Sequence, residues 1–447
     1  MLKYYTFIIK DNDNMRFIEN VEKEKYERFV KNHKLKSHFL QSYAWGEFSL
    51  KSKNLKPHYV GLVDDKNNIK ASALLLEKKL PLGYSYFYSP RGFVIDFYDV
   101  ELLTEFVDKI KIFAKKRKAI FIKIDPDIIW HEENYLGEEV KLAKNPKIVF
   151  NNLINLGFKH LGFTKNFETM QPRYTFRIDM NQSFEQIESK FSKTTKQRIN
   201  KAREIGTTVR IGTIKDIPMF SHLMDLTENR KDFVSHDLEY YKSLYEIYNK
   251  DNKMNLFIGS VNTKKVIEFY SNEKSEVENE LEKINKQDSL SKSAKTKKAE
   301  LEKRKEKLIE YINEYQDAMN KYQEEIILNG HVIMEYGDKA WVLYAGNHNI
   351  LMSSYSNYKT YFEHIKYCYD NGIKLYDQFG TIGDLSSDNP RLGLHEFKKK
   401  FGGDYVEFIG EFDLITNKFM YFIFTKLVPL YRSIIRKRAK KKKKNND

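Results

Sequence analysis

The chain has 447 residues, 77 Lys and Arg against 62 Asp and Glu, a formal net charge of +15, and 41% apolar residues with 14% aromatic. At roughly 100 to 200 residues per domain this amounts to two or three folding units, and so much Tyr and Phe excludes a mostly disordered chain. The single cysteine, Cys368, excludes a disulfide framework or a cysteine metal cluster within one chain; it reads as a small buried apolar residue in a reducing compartment.

From the start, Met1 to Lys10 has too short an apolar run and no small-residue cleavage site for a secretory signal, so cytoplasmic residence is expected. Tyr59 to Val63 and Ala71 to Leu76 are short apolar runs split by Asp64-Asp65-Lys66-Asn67-Asn68, the pattern of a hairpin. Leu102, Leu103, Phe106, Val107, Ile110 and Phe113 recur at helical spacing within Val100 to Lys116, and Ala119 to Ile124 follows as a buried strand. The order returns further on: a strand at Arg173 to Ile178, a basic helix at Ser192 to Glu204, another helix after Pro218, then a strand at Leu256 to Ser260. Two related α+β domains follow from that repetition.

Residues 272 to 326 differ in kind, being rich in Glu, Lys, Asn, Ser and Gln without Pro or Gly. Leu281, Ile284, Leu301, Leu308, Ile312 and Met319 are spaced like a coiled-coil seam, and Gln287 to Lys297 reads as the turn. An antiparallel helical arm inserted between Glu268 and His331 is expected. At the other end, Phe419 to Ile435 is apolar but interrupted by Lys426, Pro429 and Arg432, too short and broken to span a bilayer. Phe419, Phe422, Ile423, Leu427, Leu430 and Ile434 fall on or near one helical face, kinked at Pro429. The basic run Arg436 to Lys444 after it favours polyanions, whether phosphodiester backbones or anionic lipid headgroups.

Four ordered stretches carry a resemblance. The first is Phe39-Leu40-Gln41-Ser42-Tyr43-Ala44-Trp45-Gly46, with Ser89-Pro90-Arg91-Gly92 and Ile124-Asp125-Pro126 behind it. The second is Gln171-Pro172-Arg173 followed by Phe191 to Arg203 and Gly206; the third is Trp341-Val342-Leu343-Tyr344-Ala345-Gly346. The fourth runs from Tyr376-Asp377-Gln378-Phe379-Gly380 through Phe397 to Gly403 and on to Ile409-Gly410-Glu411. Together they resemble the Fem (FemA, FemX, MurM) family of peptidoglycan bridge-forming aminoacyltransferases.

The resemblance implies an α+β fold of two GNAT-like acyltransferase domains: 1–171 completed by 405–435, and 172–404 carrying the coiled-coil arm 272–326, with 436–447 as a basic tail. It implies transfer of Gly, Ala or Ser from aminoacyl-tRNA, as co-substrate with no cofactor, to the amine of a stem peptide on lipid II or on UDP-MurNAc-pentapeptide. The implied setting is the inner face of the cytoplasmic membrane, with other Fem-family proteins as partners.

Attack on an aminoacyl ester develops an oxyanion, and the resemblance places Lys398, next to Phe397, as the cation beside it. The alternative for Lys398 to Lys400 is a surface charge run. Asp125, where a strand ends before Pro126, is a candidate to orient or deprotonate the attacking amine; a turn-forming Asp or the ribose hydroxyl of the tRNA are the alternatives. For the acceptor, the resemblance points to Trp45 and Arg173, and to a lysine after Trp45, where this chain has Ser49 and, further on, Lys51. It also points to an arginine before an acidic-aromatic pair, where this chain has His236 before Glu239-Tyr240, with Arg230 or Lys231 as substitutes. Lys196, Arg198 and Lys201 on the basic helix are candidate tRNA or diphosphate contacts. Two rivals are an acetyl-CoA N-acyltransferase, whose pyrophosphate turn Arg203 to Thr208 matches incompletely, and a non-enzymatic tRNA or membrane adaptor.

Overall fold

The hairpin, helix and strand expected in the first part of the chain all form in the computed structural model, which describes residues 15–427 except 35, 232–234, 252, 288 and 290. Lys56–Val63 and Ile69–Lys79 pair antiparallel, with Asp64 Oδ1 taking the amide hydrogens of Lys66 and Asn68 at 3.0 and 2.7 Å to close the turn. The helix Val100–Lys116 starts where the Asp99 side chain accepts the Leu102 amide, and buries Leu103, Phe106, Val107, Ile110 and Phe113. Each such side chain taken out of water contributes about 1.5 to 3 kcal/mol, which fixes the helix over the sheet.

The chain divides into two units: one takes the residues up to Phe176, Gly380–Asn389 and the chain from Asp404, the other Arg177–Phe379 and Pro390–Gly403. The expected second domain, 172–404, therefore loses Gly380–Asn389 to the first. Local bonds show why: Thr381 bridges Tyr174, and the Gly383 amide donates to the Lys165 carbonyl at 2.6 Å.

In the first unit a seven-stranded sheet runs Arg16–Ile18, Lys56–Val63, Ile69–Lys79, Ser85–Ser89, Ala119–Ile124, Phe412–Ile415, Phe158–His160. The late strand Phe412–Ile415 inserts antiparallel between Ala119–Ile124 and Phe158–His160, so the end of the chain completes a sheet begun near its start. Ser85–Ser89 and Ala119–Ile124 are parallel, connected through Val100–Lys116.

The second unit repeats the motif. Its sheet runs from the end of Tyr174–Asp179 through Leu375–Asp377, Lys339–Asn347, Glu325–Tyr336 and Met254–Asn262 to Thr208–Ile211. Lys339–Asn347 and Leu375–Asp377 are the parallel pair, connected through the helix Ser356–Asp370, whose Tyr361, Phe362, Ile365 and Cys368 are buried. Each unit thus has a strand, a crossover helix and a parallel strand at its centre.

The helices Thr263–Asn285 and Lys292–Lys321 connect the paired strands Met254–Asn262 and Glu325–Tyr336. They lie antiparallel, burying Val277, Leu281 and Ile284 with Leu301, Leu308 and Tyr315, and pairing Glu280 with Lys297 and Glu278 with Lys305. The expected turn Gln287 to Lys297 is too long, because Ser291 accepts the Ala294 amide at 3.2 Å and starts the second helix at Lys292.

Near the end, Lys418–Phe422 is helical and Ile423–Leu427 continues as a π-turn. The expected apolar face is not the one that packs: Phe419 and Phe422 are exposed, while Tyr421 is buried with Phe424 against Phe121. The Asn417 cap sets the helix phase and so decides which face turns inward. Pro429, Leu430, Ile434, the basic tail and the N-terminal segment lie outside the described residues. No helix among the described residues is long and apolar enough to cross a membrane.

Candidate functional site

Lys398 stands on the helix Leu392–Lys399, where Lys398 and His395, one turn apart, are the buried residues. Its Nζ donates to the carbonyls of Gln378 and Phe379 at 2.7 and 2.5 Å. Those carbonyls are aimed by the bend after the strand Leu375–Asp377. Phe379 is held at φ 53°, its amide donates to Asp377 Oδ1 at 2.8 Å, and Arg177 Nε donates to Asp377 Oδ2 at 2.8 Å. Gln378 Nε2 returns a bond to the Lys398 carbonyl at 3.2 Å.

Burial pulls the Lys398 ammonium down to about 7, against the opposing field of Asp377. The reading of Lys398 to Lys400 as a surface run thus fails for Lys398, which is 6% exposed, and holds for Lys399, which is exposed. Phe397, partly buried, packs edge-on to Tyr358 and Tyr361 at 5.1 and 4.9 Å. Gly402, at φ 71°, closes the turn after the helix; a Cβ there would meet the Lys190 backbone at 2.7 Å.

Asp125 ends the strand Ala119–Ile124 in the first unit, 3% exposed. Its Oδ2 accepts from the Tyr88 hydroxyl at 2.7 Å and its Oδ1 from the Arg91 amide at 2.6 Å, so it holds the turn where Ser85–Ser89 ends and Arg91 sits at φ 54°. Gln41 closes the same turn, donating to the Pro90 carbonyl at 2.6 Å while accepting the Leu74 amide at 2.9 Å. Burial raises the Asp125 carboxyl to about 7, opposed by the Arg91 charge and the Tyr88 bond and reinforced by Glu411. Such a group exchanges a proton near neutrality.

The other candidates differ in burial and in the partners they hold. Arg173 was expected at the acceptor, but its guanidinium is 1% exposed, bonded to Glu407, to the Thr164 carbonyl at 3.0 Å and to the Tyr174 hydroxyl at 2.8 Å. Through these bonds it ties the loop before the strand Tyr174–Asp179 to Glu407. Trp45 is buried between Phe39 and Phe48, while Lys51 on the same helix is exposed. His236 stacks on Tyr240 at 3.6 Å, and the Tyr240 hydroxyl meets the Tyr344 hydroxyl at 2.7 Å. Burial raises both hydroxyl pKa values, so they stay neutral. The side chains of Arg230 and Lys231 lie outside the described residues.

On the basic helix Lys193–Glu204 the three cations point to different partners. Lys196 donates to the Ser189 carbonyl at 3.0 Å, and Arg198 meets the Tyr358 hydroxyl, joining the aromatic group around Phe397. Lys201 pairs with Glu273 at 2.9 Å and lies over the Phe269 ring at 4.4 Å, so it anchors the first arm helix instead of facing a nucleic acid. Arg203 and Glu204 end this helix and Gly206, at φ 80°, lies just past its C-terminus; that pole presents carbonyls, which disfavours a pyrophosphate and with it the acetyl-CoA reading.

Asp377, Arg177, Gln378, Arg91, Tyr88 and Tyr344 were not singled out from the sequence as site residues, although most lie in or beside the four stretches. The parallel between Asp125 and Asp377 is the missed signal: each stands at the end of the second strand of its unit's parallel pair and accepts the backbone amide that shapes the next bend. A further buried chain runs from Tyr376 to His364 at 2.7 Å and from His364 to His331 at 3.2 Å, with His331 held neutral at about 3 by burial.

The chain as a whole is similar to known proteins. A lipid II:glycine glycyltransferase of Staphylococcus haemolyticus (strain JCSC1435) is 30% identical over 417 residues, 92% of this chain and 95% of that protein. One of Staphylococcus aureus is 29% identical over 419 residues, again 92% of this chain and 95% of that protein. A crystal structure of FemX matches with a TM-score of 0.71 at 27% identity, covering 91% of this chain and 98% of that one. The FemAB family itself matches residues 21–428, a span that takes in both units, the Asp125 turn and the Lys398 helix, and the chain belongs to that family.

Proposed function

We propose that this protein is an aminoacyltransferase that moves an amino acid from aminoacyl-tRNA to the side-chain amine of the stem peptide on lipid II, building the peptidoglycan interpeptide bridge. Glycine is the amino acid named in the relatives at 29 to 30% identity, and it is the first to test, before alanine and serine. The two units are read as GNAT-like acyltransferase folds and the helical pair as a coiled-coil arm. The reaction would run at the inner face of the cytoplasmic membrane, where a lipid-linked acceptor and a cytoplasmic tRNA meet.

The observation that carries the reading is Lys398, a buried lysine oriented by two backbone carbonyls within the span that the family matches. In transfer, the acceptor amine attacks the ester carbonyl, a C–N bond forms, and the carbonyl oxygen takes up negative charge before the bond to the tRNA ribose oxygen breaks. Lys398 in its protonated form stabilises that oxyanion. The amine's proton must leave and the ribose oxygen must gain one; Asp125 is the protein carboxylate proposed to orient or deprotonate the amine, supported by its pKa near neutrality. The adjacent ribose hydroxyl is the other route. Phe397 and Arg198 are proposed at the tRNA side, and His236, Tyr240 and Lys51 at the acceptor side.

The deciding experiment is release of radiolabelled glycine from charged tRNA in the presence of lipid II, with alanyl- and seryl-tRNA, UDP-MurNAc-pentapeptide and acetyl-CoA as comparisons. Label appearing on lipid II from glycyl-tRNA is expected. Acetylation of the acceptor, or no transfer from any charged tRNA, would overturn the proposal.

A further inference from the structure

The ends of the interior strands Ile69–Lys79, Ser85–Ser89 and Phe412–Ile415 form one rim of the first unit's sheet, and this edge gathers exposed apolar side chains from two separate segments. The strand Ile69–Lys79 turns through Pro81–Gly83 into Ser85–Ser89, and at its tip Leu82, held at φ 61°, is 86% exposed. At the same edge the strand Phe412–Ile415 ends and Asn417 caps the helix Lys418–Phe422, on which Phe419 is 72% and Phe422 55% exposed. Leu82 and Asn417 line one depression together with Lys115 and Lys118.

Among the described residues, Phe419 and Phe422 stay exposed although their segment already packs through its other face. Tyr421 and Phe424 on the same segment already cover Phe121 at 5.5 and 5.7 Å. The helix therefore carries aromatic residues both toward the sheet and toward solvent. A single exposed Leu or Phe is ordinary, whereas three on one edge beside lysines ask for a partner.

Charge identifies that partner. No Asp or Glu lies between Asp413 and Asp447, and the run Arg436 to Lys444, with eight cations, begins nine residues past Leu427. A second copy would bring two cationic surfaces together, and a nucleic acid offers phosphates but no use for Leu82 or for Phe side chains outside a base stack. An anionic bilayer supplies both an apolar boundary and phosphates, and near it each Lys or Arg contributes about 1 kcal/mol of attraction.

We propose that this edge is a docking surface for an anionic lipid bilayer. Leu82, Phe419 and Phe422 enter the boundary between headgroups and acyl chains, and the neighbouring lysines meet lipid phosphates. Asp125 closes the opposite end of the strand Ala119–Ile124, about 20 Å away at roughly 3.3 Å per residue. The docking itself does not depend on the reaction proposed above, although a lipid-linked acceptor would give it a use.

The test is sedimentation of the full-length protein with vesicles of phosphatidylcholine containing phosphatidylglycerol, against pure phosphatidylcholine. The wild type should partition onto the anionic vesicles, and Leu82→Ser/Phe419→Ser/Phe422→Ser should bind at least ten-fold more weakly with an unchanged melting temperature, since all three side chains are exposed. The Phe419→Trp variant should show emission that shifts to the blue on those vesicles and is quenched by brominated acyl chains beyond the wild-type background. Equal binding by the triple-serine variant, with loss only on deleting 436–447, would reduce the contact to a basic tail and overturn the proposal. So would a concentration-dependent dimer abolished by the same three substitutions. No transfer reaction is measured, so either reading can fail while the other stands.

Discussion

With its ammonium buried and its pKa drawn to about 7, Lys398 changes charge near neutrality. An unfolded lysine titrates near 10.4, so between about pH 7 and 10.4 the unfolded chain holds a proton that the folded chain has released. Stability should rise with pH across that window. Lys398→Met keeps the volume and removes the proton, and melting temperatures from pH 6 to 9.5 should show the rise flattened in the variant. Single-turnover transfer should fall about 100- to 1000-fold in the same variant, the usual loss on removing one oxyanion donor; an unaltered rate would end the assignment. Asp125 has the opposite sign. Its carboxyl, raised to about 7, keeps in the folded state a proton that the unfolded chain loses near 4, so its contribution falls as pH rises from about 4 to 7. Asp125→Asn should flatten that fall in melts compared at pH 4.5 and 7.5. Flanking motifs separated Lys398 from its neighbours Lys399 and Lys400 at the level of sequence, but its environment was not legible there, because desolvation comes from residues such as Gln378 and Phe379 that only folding brings near.

Local patterns predicted whole elements best where a cap and a periodic apolar face coincide. Val100–Lys116 was read from an inward face that recurs at helical spacing, and the structure adds the Asp99 cap at its start. The helical arm was recognised from composition, but its turn was drawn too long: Ser, Lys and Thr after Ser291 look like loop and are the first turn of a capped helix. The seam predicts a locally cooperative element. Leu308→Ala should cost about 2 to 5 kcal/mol within the arm. Hydrogen exchange should then quicken across Thr263–Asn285 and Lys292–Lys321 while the amides of Glu325–Tyr336 keep their protection. Loss of protection throughout the second unit would instead make the arm part of that unit's core. Lys201 belongs to this scale as well. A basic helix facing a nucleic acid and one bracing another helix have the same sequence, and the position of Glu273 decides between them.

Across the whole molecule, a net charge of +15 and the proposed tRNA substrate predict salt-sensitive binding. Raising NaCl from 50 to 200 mM should weaken charged-tRNA binding by at least ten-fold, as follows from release of counterions at a few phosphate contacts. A filter-binding titration checks this, and a flat salt response would count against phosphate contacts by Lys196 and Arg198. The sequence by itself determined the class of each element, the repetition of an α+β motif, the place of the inserted arm and the family, because periodicity, caps and short motifs are local and survive without tertiary context. Tertiary structure decided what those residues do. It chose Ala119–Ile124 and Phe158–His160 as the partners of Phe412–Ile415, within a segment expected to complete the first domain, and transferred Gly380–Asn389 to the first unit. It turned Arg173 inward onto Glu407 and turned Phe419 and Phe422 outward. The physical reason is common to all four: which partner a strand finds, and whether a charge or a ring is dry, depends on contacts between residues far apart in the chain, and no local pattern records them.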